Sequence, residues 1–307
     1  MGGLRRRQTA PGAASNWAEN VAFSHTAFRC PETVNELQDV VAAADKLRVL
    51  GSGHSFSSLC RTDDTMVSLA FMRNVLGVEV GETDMATLGD VIKYLAPRGF
   101  ALKNIPSLPH ITIAGALATA THGSGLQPGA EAGLPSMCNA IEFVTHDGNL
   151  VAYERGQPGT SPSFSSAVVH LGALGVVSRV SLDVVPSFTV DQRVYTDVNL
   201  DILFANFEDV ARSVDSLTVG INFGVQKGML WMRYFEREDG LGTPPPQPSE
   251  ALCEQLLTSG AKLRMEPVPF YESQRGVKAT RRGPWHDVPS FFMDDGVEVN
   301  MPRVALQ

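Results

Sequence analysis

The stretch Val49-Leu50-Gly51-Ser52-Gly53-His54-Ser55-Phe56 places a histidine, flanked by two serines, directly after two glycines spaced one apart. Glycine reaches positive φ and lets another molecule come close to the backbone. Successive N–H groups in such a turn form a concave nest for an anion, typically a phosphate. A strand ending in a phosphate-sized nest with an imidazole on its lip fits a nucleotide-cofactor site. An ordinary Gly-Ser turn carrying a solvated histidine fits the same residues, and local sequence leaves both readings open.

The common phosphate motifs do not fit. Rossmann dinucleotide binding needs a small residue three after the second glycine, where helix and strand pack closely; this chain has Phe56 there. No Gly-Lys-Ser/Thr follows at Walker spacing, and a Gly-x-Ser-x-Gly nucleophile elbow is absent from the stretch.

A second segment of similar character lies downstream. The proline-stiffened Asn104-Ile105-Pro106-Ser107-Leu108-Pro109-His110 leads into Ile111 to Gly125, a run almost free of large side chains and rich in hydroxyls. Tight helix–strand packing explains such a run, and so does close approach to a ligand. Its place in the same half of the chain as the first nest favours the ligand.

The elements that must position these stretches follow from periodicity. Val34, Leu37, Val40, Val41 and Ala44 predict an amphipathic helix over Pro31 to Lys46, with Pro31 in its first turn. It feeds the strand ending at Leu50, and Met66 to Leu69 predicts another. Leu88, Val91, Ile92 and Leu95 give a second helix, ended at Arg98-Gly99, and Phe100 to Leu102 a short strand. Ala140 to Tyr153 reads as a hairpin about Asp147-Gly148. A short helix over Ala167 to Leu174 is expected next. A strand then carries Val176, Val180, Leu182 and Val184, with Ser178 breaking its alternation and Pro186 closing it. The break in pattern there marks a domain boundary. Beyond it, Val190 to Val198 and Met229 to Tyr234 read as strands, Leu200 to Val214 as a helix and Gly240 to Pro248 as a linker. Trp285, His286, Phe291 and Phe292 read as a hydrophobic face ahead of a substrate box. No internal repeat is visible.

Composition bounds the class. A chain of 307 residues, 43% hydrophobic and 19% charged, supports a sizeable core and about two domains. Its net charge of −8 repels nucleic acid and anionic membrane. Arg5-Arg6-Arg7 sits in a Gly/Ala/Pro tail without the apolar core of a secretory signal. No apolar run is long enough to span a bilayer, which leaves peripheral membrane association open. Cys30, Cys60, Cys138 and Cys253 are scattered without metal-ligand spacing, so no metal is expected and reduced thiols of a cytoplasm-like compartment are.

Taken together, these segments resemble the vanillyl-alcohol-oxidase-type (PCMH-type) flavoproteins, and most of all the alditol and xylitol oxidases and the sugar-1,4-lactone oxidases. The likeness begins at Asn16-Trp17-Ala18-Glu19-Asn20 and runs to about Pro302. Its most specific parts are Arg48 to Phe56 and Ser107-Leu108-Pro109-His110, extended by Ala118 to Gly125, Leu171 to Val177 and Gly283-Pro284-Trp285-His286. The resemblance implies an α+β fold: a tail over 1–15, an FAD-binding domain of two subdomains over 16–187, and a partial α+β substrate (cap) domain over 188–307. It implies FAD with its pyrophosphate on the nest of Gly51, Ser52, Gly53, His54 and Ser55, Val49 and Leu50 counting among the cofactor-binding residues beside it, and a covalent bond from His54 to the flavin 8α carbon. Such a substituent raises the flavin potential, one way a protein tunes cofactor electronics. Ser107 matches a residue beside the isoalloxazine. Thr112, Gly115, Ala116, Leu117 and Ala118 match a strand and turn lining the cofactor, as His122 and Gly123 match its continuation; Val177 matches a position near the adenine.

The implied reaction oxidises the CH–OH group of a polyol or sugar lactone by hydride transfer to flavin N5, with oxygen as acceptor. Pro106 falls beside the flavin's oxygen-reactive carbon. Two departures bear on this. Between Val78 and Leu88 this chain has only Glu79 to Thr87 where relatives carry a longer segment. The chain also ends at Gln307, ahead of the family's Glu/Arg pair, His/Thr strand and lysine that line the substrate. The alternative is therefore a flavin-binding fragment or paralogue without turnover. Phe56 argues against a third reading, a NAD-dependent Rossmann dehydrogenase.

Overall fold

The computed structural model describes residues 14–16, 18, 20–72, 74, 77, 86–124, 133–158, 163–222, 224–236, 249–266 and 278–288. Within them the fold is α+β, with three principal sheets met in chain order. The expected linker at 240–248, Phe291, Phe292, Trp17, Gly125 and most of the 79–87 segment lie outside the described residues.

The first sheet is parallel. β1 (Ala27–Arg29), β2 (Leu47–Val49) and β3 (Thr65–Val67) are ordered β1-β3-β2. Every residue of the central β3 is buried, as expected of a parallel strand covered on both faces. Helix α1 (Val34–Ala42) joins β1 to β2 and buries Leu37 and Val41. It is shorter than Pro31–Lys46 because Thr33 is its cap, accepting from Glu36 N–H at 3.2 Å. Pro31 therefore precedes the helix. Just upstream, Ala14–Ser15 pairs antiparallel with Ala22–Phe23.

Helix α2 (Leu88–Leu95) has a reciprocal capping box between Thr87 and Asp90 and buries Leu88, Val91, Ile92 and Leu95, the predicted face. A 3₁₀ turn carries it to Arg98, and Gly99 at φ 78° ends it, the left-handed conformation that glycine adopts without strain. The two-residue strand Phe100–Ala101 then pairs with Val185–Pro186. Next come α3 (Ile113–Ala118) and the single turn α4 (Leu134–Met137). The resemblance implied strand and turn over 112–118; the run is helical, its small residues being compatible with a short helix packed tightly.

The second sheet is antiparallel, β4 (Cys138–Val144), β5 (Leu150–Glu154) and β6 (Val176–Leu182) in the order β5-β4-β6. The expected hairpin forms, closed by 145–149 rather than by two residues, with Gly148 at φ 79°. Gln38 of α1 donates to Gly148 O at 2.7 Å and ties the two sheets. Ser178, the exception in the alternation, is 1% exposed and donates to Glu142 Oε1 at 2.7 Å. A satisfied hydroxyl explains a polar residue on an apolar run. Helix α5 spans Phe164–Val168 rather than 167–174, because Leu171 at φ 51° and Gly172 at φ 79° are both left-handed.

The third sheet is five-stranded and antiparallel. β7 (Thr189–Asn199) pairs with β9 (Lys227–Phe235), β9 with β8 (Ser216–Asn222), and both Lys262–Leu263 and β10 (Arg281–Pro284) with β7. The single helix expected over 200–214 is two, α6 (Leu200–Ala205) and α7 (Phe207–Arg212), divided at Asn206. Helix α8 (Glu250–Thr258) packs beside them. Arg233 of β9 is 2% exposed: its Nε donates to Gln192 Oε1 at 2.8 Å, and its Nη1 to Ser216 Oγ at 3.3 Å and Thr218 Oγ1 at 3.1 Å.

The main core lies between α2, α3, the second sheet and the start of β7. It continues without a break into Phe188, Val190, Trp285 and Val288. Trp285 is fully buried against Phe188, ring centroids 6.2 Å apart. A smaller core gathers Leu203, Val210, Leu230 and Leu252 under the third sheet. Truncating Trp285 to Ala removes the largest side chain joining the C-terminal segment to the main core. It should cost ~3–5 kcal/mol, read as a lower urea midpoint; a loss under ~1 kcal/mol would show that this contact does not hold the segment.

Candidate functional site

The glycine turn leaves β2 at its C-terminal end. Leu50 closes the strand by donating its N–H to Val67 O at 2.8 Å and is 2% exposed. After it the chain stops pairing. Among the described residues, the N–H groups of Gly51, Ser52, Gly53 and Ser55 donate to no protein acceptor. Gly53 sits at φ 72°. Unengaged amides grouped in one turn are what an anion-binding concavity requires.

The turn is fixed from two sides. Thr112 donates its N–H to Ser52 Oγ at 3.2 Å, which brings the start of α3 onto the turn. Its hydroxyl fits between two glycines: a Cβ on Gly51 would come within 2.6 Å of Thr112 Oγ1, and one on Gly115 within 2.8 Å. From the other side Asn16, 2% exposed, donates to Ser55 O at 3.2 Å. The same side chain accepts from Asn20 and Val21 N–H, holding its own loop.

His54 stacks against His110, ring centroids 4.3 Å apart at 43°. Burial pushes the His54 imidazole down to about 4, and the neighbouring His110 pushes it the same way. Burial lowers His110 as well. At neutral pH His54 is therefore an uncharged imidazole with a nitrogen lone pair, the form able to act as nucleophile or ligand.

The other expected residues fall into two groups. Gly51, Ser52, Thr112 and Gly115 meet directly, and Ala116, Leu117 and Ala118 follow on α3, where Ala116 and Leu117 face the main core. Ala118 O accepts from Leu171 N at 3.2 Å, which brings the left-handed Leu171-Gly172 loop to the same helix. His122 Nδ1 lies 2.6 Å from Gly123 O. Gly123 is wedged on the Asn104 side: a Cβ there would lie 2.0 Å from Asn104 Oδ1 and 2.9 Å from Ile105 O. So the 104–107 and 122–124 segments touch. Pro106 is buried and Ser107 exposed. Val49 packs under the turn in the cluster of α1 and β3. Val177 is farther away, on β6 opposite Phe143 and in the main core, with no described contact to the turn.

Three further residues had no role in the sequence reading. Asn16 and His110 lie within the quoted motifs, but nothing in their spacing shows that they brace the turn. His170 is 8% exposed, accepts from Gly172 N at 3.0 Å through Nδ1, and is held down to about 4 by burial. It shapes the loop that approaches Ala118, a contact between distant segments that no local pattern carries.

The residues present fit a diphosphate-bearing cofactor. The amides supply donors, Gly51 gives bare backbone, and Asn104 brings a nine-tenths-buried Nδ2 without a protein partner to the adjoining loop.

Comparison with known proteins agrees. Residues 26–153 match the FAD binding domain family. Over 297 residues the chain is 31% identical to alditol oxidase of Streptomyces sp. (strain IKD472 / FERM P-14339), covering 91% of this chain and 65% of that protein. It is 34% identical over 192 residues to L-gulono-1,4-lactone dehydrogenase of Mycobacterium tuberculosis, covering 58% and 43%. Its structure is similar to that of a carbohydrate oxidase from Microdochium nivale, with a TM-score of 0.68 at 18% identity over 90% of this chain and 59% of that one. At that identity the likeness is one of fold. The chain spans less than two thirds of the length of each of these relatives.

The state of His54 gives a direct test. Its folded pKa lies below the unfolded value of 6.5, so the unfolded chain binds the extra proton first. Stability from this group is full above 6.5 and is lost as pH falls toward 4. NMR titration of the His54 ring protons should give a midpoint near 4. A midpoint at 6.5 would mean that the imidazole is solvated and faces no cleft.

Proposed function

We propose, from the match of residues 26–153 to the FAD binding domain family, that the chain is a vanillyl-alcohol-oxidase-type flavoprotein that oxidises a CH–OH group of a polyol or sugar lactone, with oxygen as acceptor. The observation that carries this reading is the turn after β2, with four unengaged amides beside a neutral imidazole. Likeness to alditol oxidase along 91% of the chain supports the substrate class.

In this reading residues 16–187 hold the cofactor and 188–307 contribute to the substrate side. FAD, when bound, supplies a two-electron acceptor for a carbinol C–H. Val49 and Leu50 anchor the turn in the core beneath it, while the amides of Gly51, Ser52, Gly53 and Ser55 neutralise the diphosphate. Gly115, Ala116, Leu117 and Ala118 offer close backbone approach, and Thr112 fixes the turn to α3. His122 and Gly123 continue that lining, Ser107 borders the flavin ring and Val177 the adenine end. His54 attaches the flavin through a ring nitrogen of an imidazole that is uncharged at neutral pH.

Colour and acid stability test this. Protein expressed with flavin should be yellow and keep its chromophore after acid precipitation. His54→Ala should bind FAD but release it in acid. Anaerobic addition of xylitol or a 1,4-lactone should then bleach the visible band. Yellow protein that no polyol or lactone bleaches would reduce the reading to a flavin binder, and protein that takes up no FAD would remove it.

Pro106, buried one residue before Ser107, is assigned to restrict the approach of oxygen. Pro106→Gly should speed reoxidation of the reduced protein in air by roughly tenfold or more, about 1.4 kcal/mol of barrier, with an artificial dye acceptor unaffected. Equal air rates in the two proteins would retire the assignment.

A further inference from the structure

The parallel sheet has a second end. Opposite the glycine turn, where β1, β2 and β3 begin, lies an open concavity of about 690 Å³ lined by residues that include Ser24, His25, Thr26, Arg48, Arg61 and Thr62. That volume is within the range of small-molecule sites. None of these residues belongs to the cofactor turn, although Arg48 and the turn share the strand β2.

The charges of the cavity are unevenly matched. Among the described residues Arg48 makes no hydrogen bond or ion pair, and Arg61 engages only its Nε, on Ala22 O at 2.7 Å. The nearby carboxylates are already engaged. Asp63 holds Lys46 Nζ at 3.1 and 2.8 Å through its two oxygens. Asp64 accepts from Lys46 N–H at 2.8 Å and from the Thr65 hydroxyl at 3.1 Å. Lys46 and Asp63 thus offset each other on the rim; among the lining residues Arg48 and Arg61 have no carboxylate partner, while Asp64, beside the lining, keeps its negative charge. The Ser24 hydroxyl, also without a described partner, adds a donor.

We propose that this cavity binds a small phosphorylated solute through Arg48 and Arg61. A guanidinium presents paired donors that match phosphate oxygens two at a time. Two guanidiniums and a hydroxyl suit a multiply charged oxyanion better than a halide or a single carboxylate. The hydroxyl-lined walls leave room for a polar body attached to it.

Calorimetric titration of the flavin-loaded protein with inorganic phosphate and pyrophosphate tests this against sodium chloride at matched ionic strength. Saturable binding of the phosphates and none of chloride is expected. The double variant Arg48→Gln/Arg61→Gln should weaken pyrophosphate roughly tenfold or more, and Arg61→Lys, which keeps the charge, should weaken it less. Bound flavin per chain should be unchanged in all variants, which separates this site from the cofactor turn and shows that the variants fold. No saturable heat, or equal affinity in the double variant, would overturn the proposal. So would Arg48- and Arg61-dependent retention on phosphatidylglycerol vesicles without binding of free phosphates, since that places the ligand in a lipid surface.

Discussion

The structure around the site depends on one close approach, that of the Gly51 backbone to the Thr112 hydroxyl. Any Cβ at position 51 would stand 2.6 Å from that oxygen, and the second glycine on the other side, Gly115, is almost as close. Thr112 is itself 5% exposed and gives its N–H to Ser52. The parallel sheet and α3 are therefore joined through a hydroxyl set between two residues that lack side chains. Among the described residues the N–H groups of Gly51, Ser52, Gly53 and Ser55 find no acceptor in the chain and so face outward as donors. A turn closed by its own backbone would have had no donors to offer.

Around that contact, burial sets the chemistry more than charge does. His54, His110 and His170 are all held below the usual histidine range, and burial is the largest cause in each. None of these three imidazoles brings positive charge to its loop at neutral pH. Anion affinity there rests on backbone dipoles, which do not change with pH. The far end of the same sheet is built the other way, from guanidiniums that stay charged at any physiological pH.

Much of this was legible in the sequence. Helix faces such as Leu88, Val91, Ile92 and Leu95 repeat at helical spacing, and the caps that end them are local, so periodicity suffices. The glycine turn was also legible, because backbone freedom is written in residue type. What escaped was decided by distant contacts or backbone strain. Leu171 adopts φ 51°, a conformation its side chain disfavours, and so moves α5 from where propensity places it. Asn206 divides a helix that apolar spacing alone would continue. Asn16 and Ser55 are 39 residues apart, and no window of sequence joins them. Ser178 breaks the alternation of its strand because its partner, Glu142, lies on the neighbouring strand, 36 residues away in sequence.

The buried Arg233 has a consequence for how the third sheet finds its alignment. Gln192, Arg233 and Ser216 are directly opposite one another on three neighbouring strands. A slip of one residue would turn the guanidinium to the other face of the sheet. A slip of two would move it away from Gln192, Ser216 and Thr218 and leave a buried cation poorly solvated, a state far costlier than a mismatched apolar pair. The apolar neighbours Leu217, Leu230 and Met232 could tolerate such misalignment; Arg233 does not. One charged residue thus acts as a key that excludes wrong pairings, and it does so in the sheet whose Ser216 hydroxyl meets Ser124 at 2.9 Å, one residue beyond Gly123.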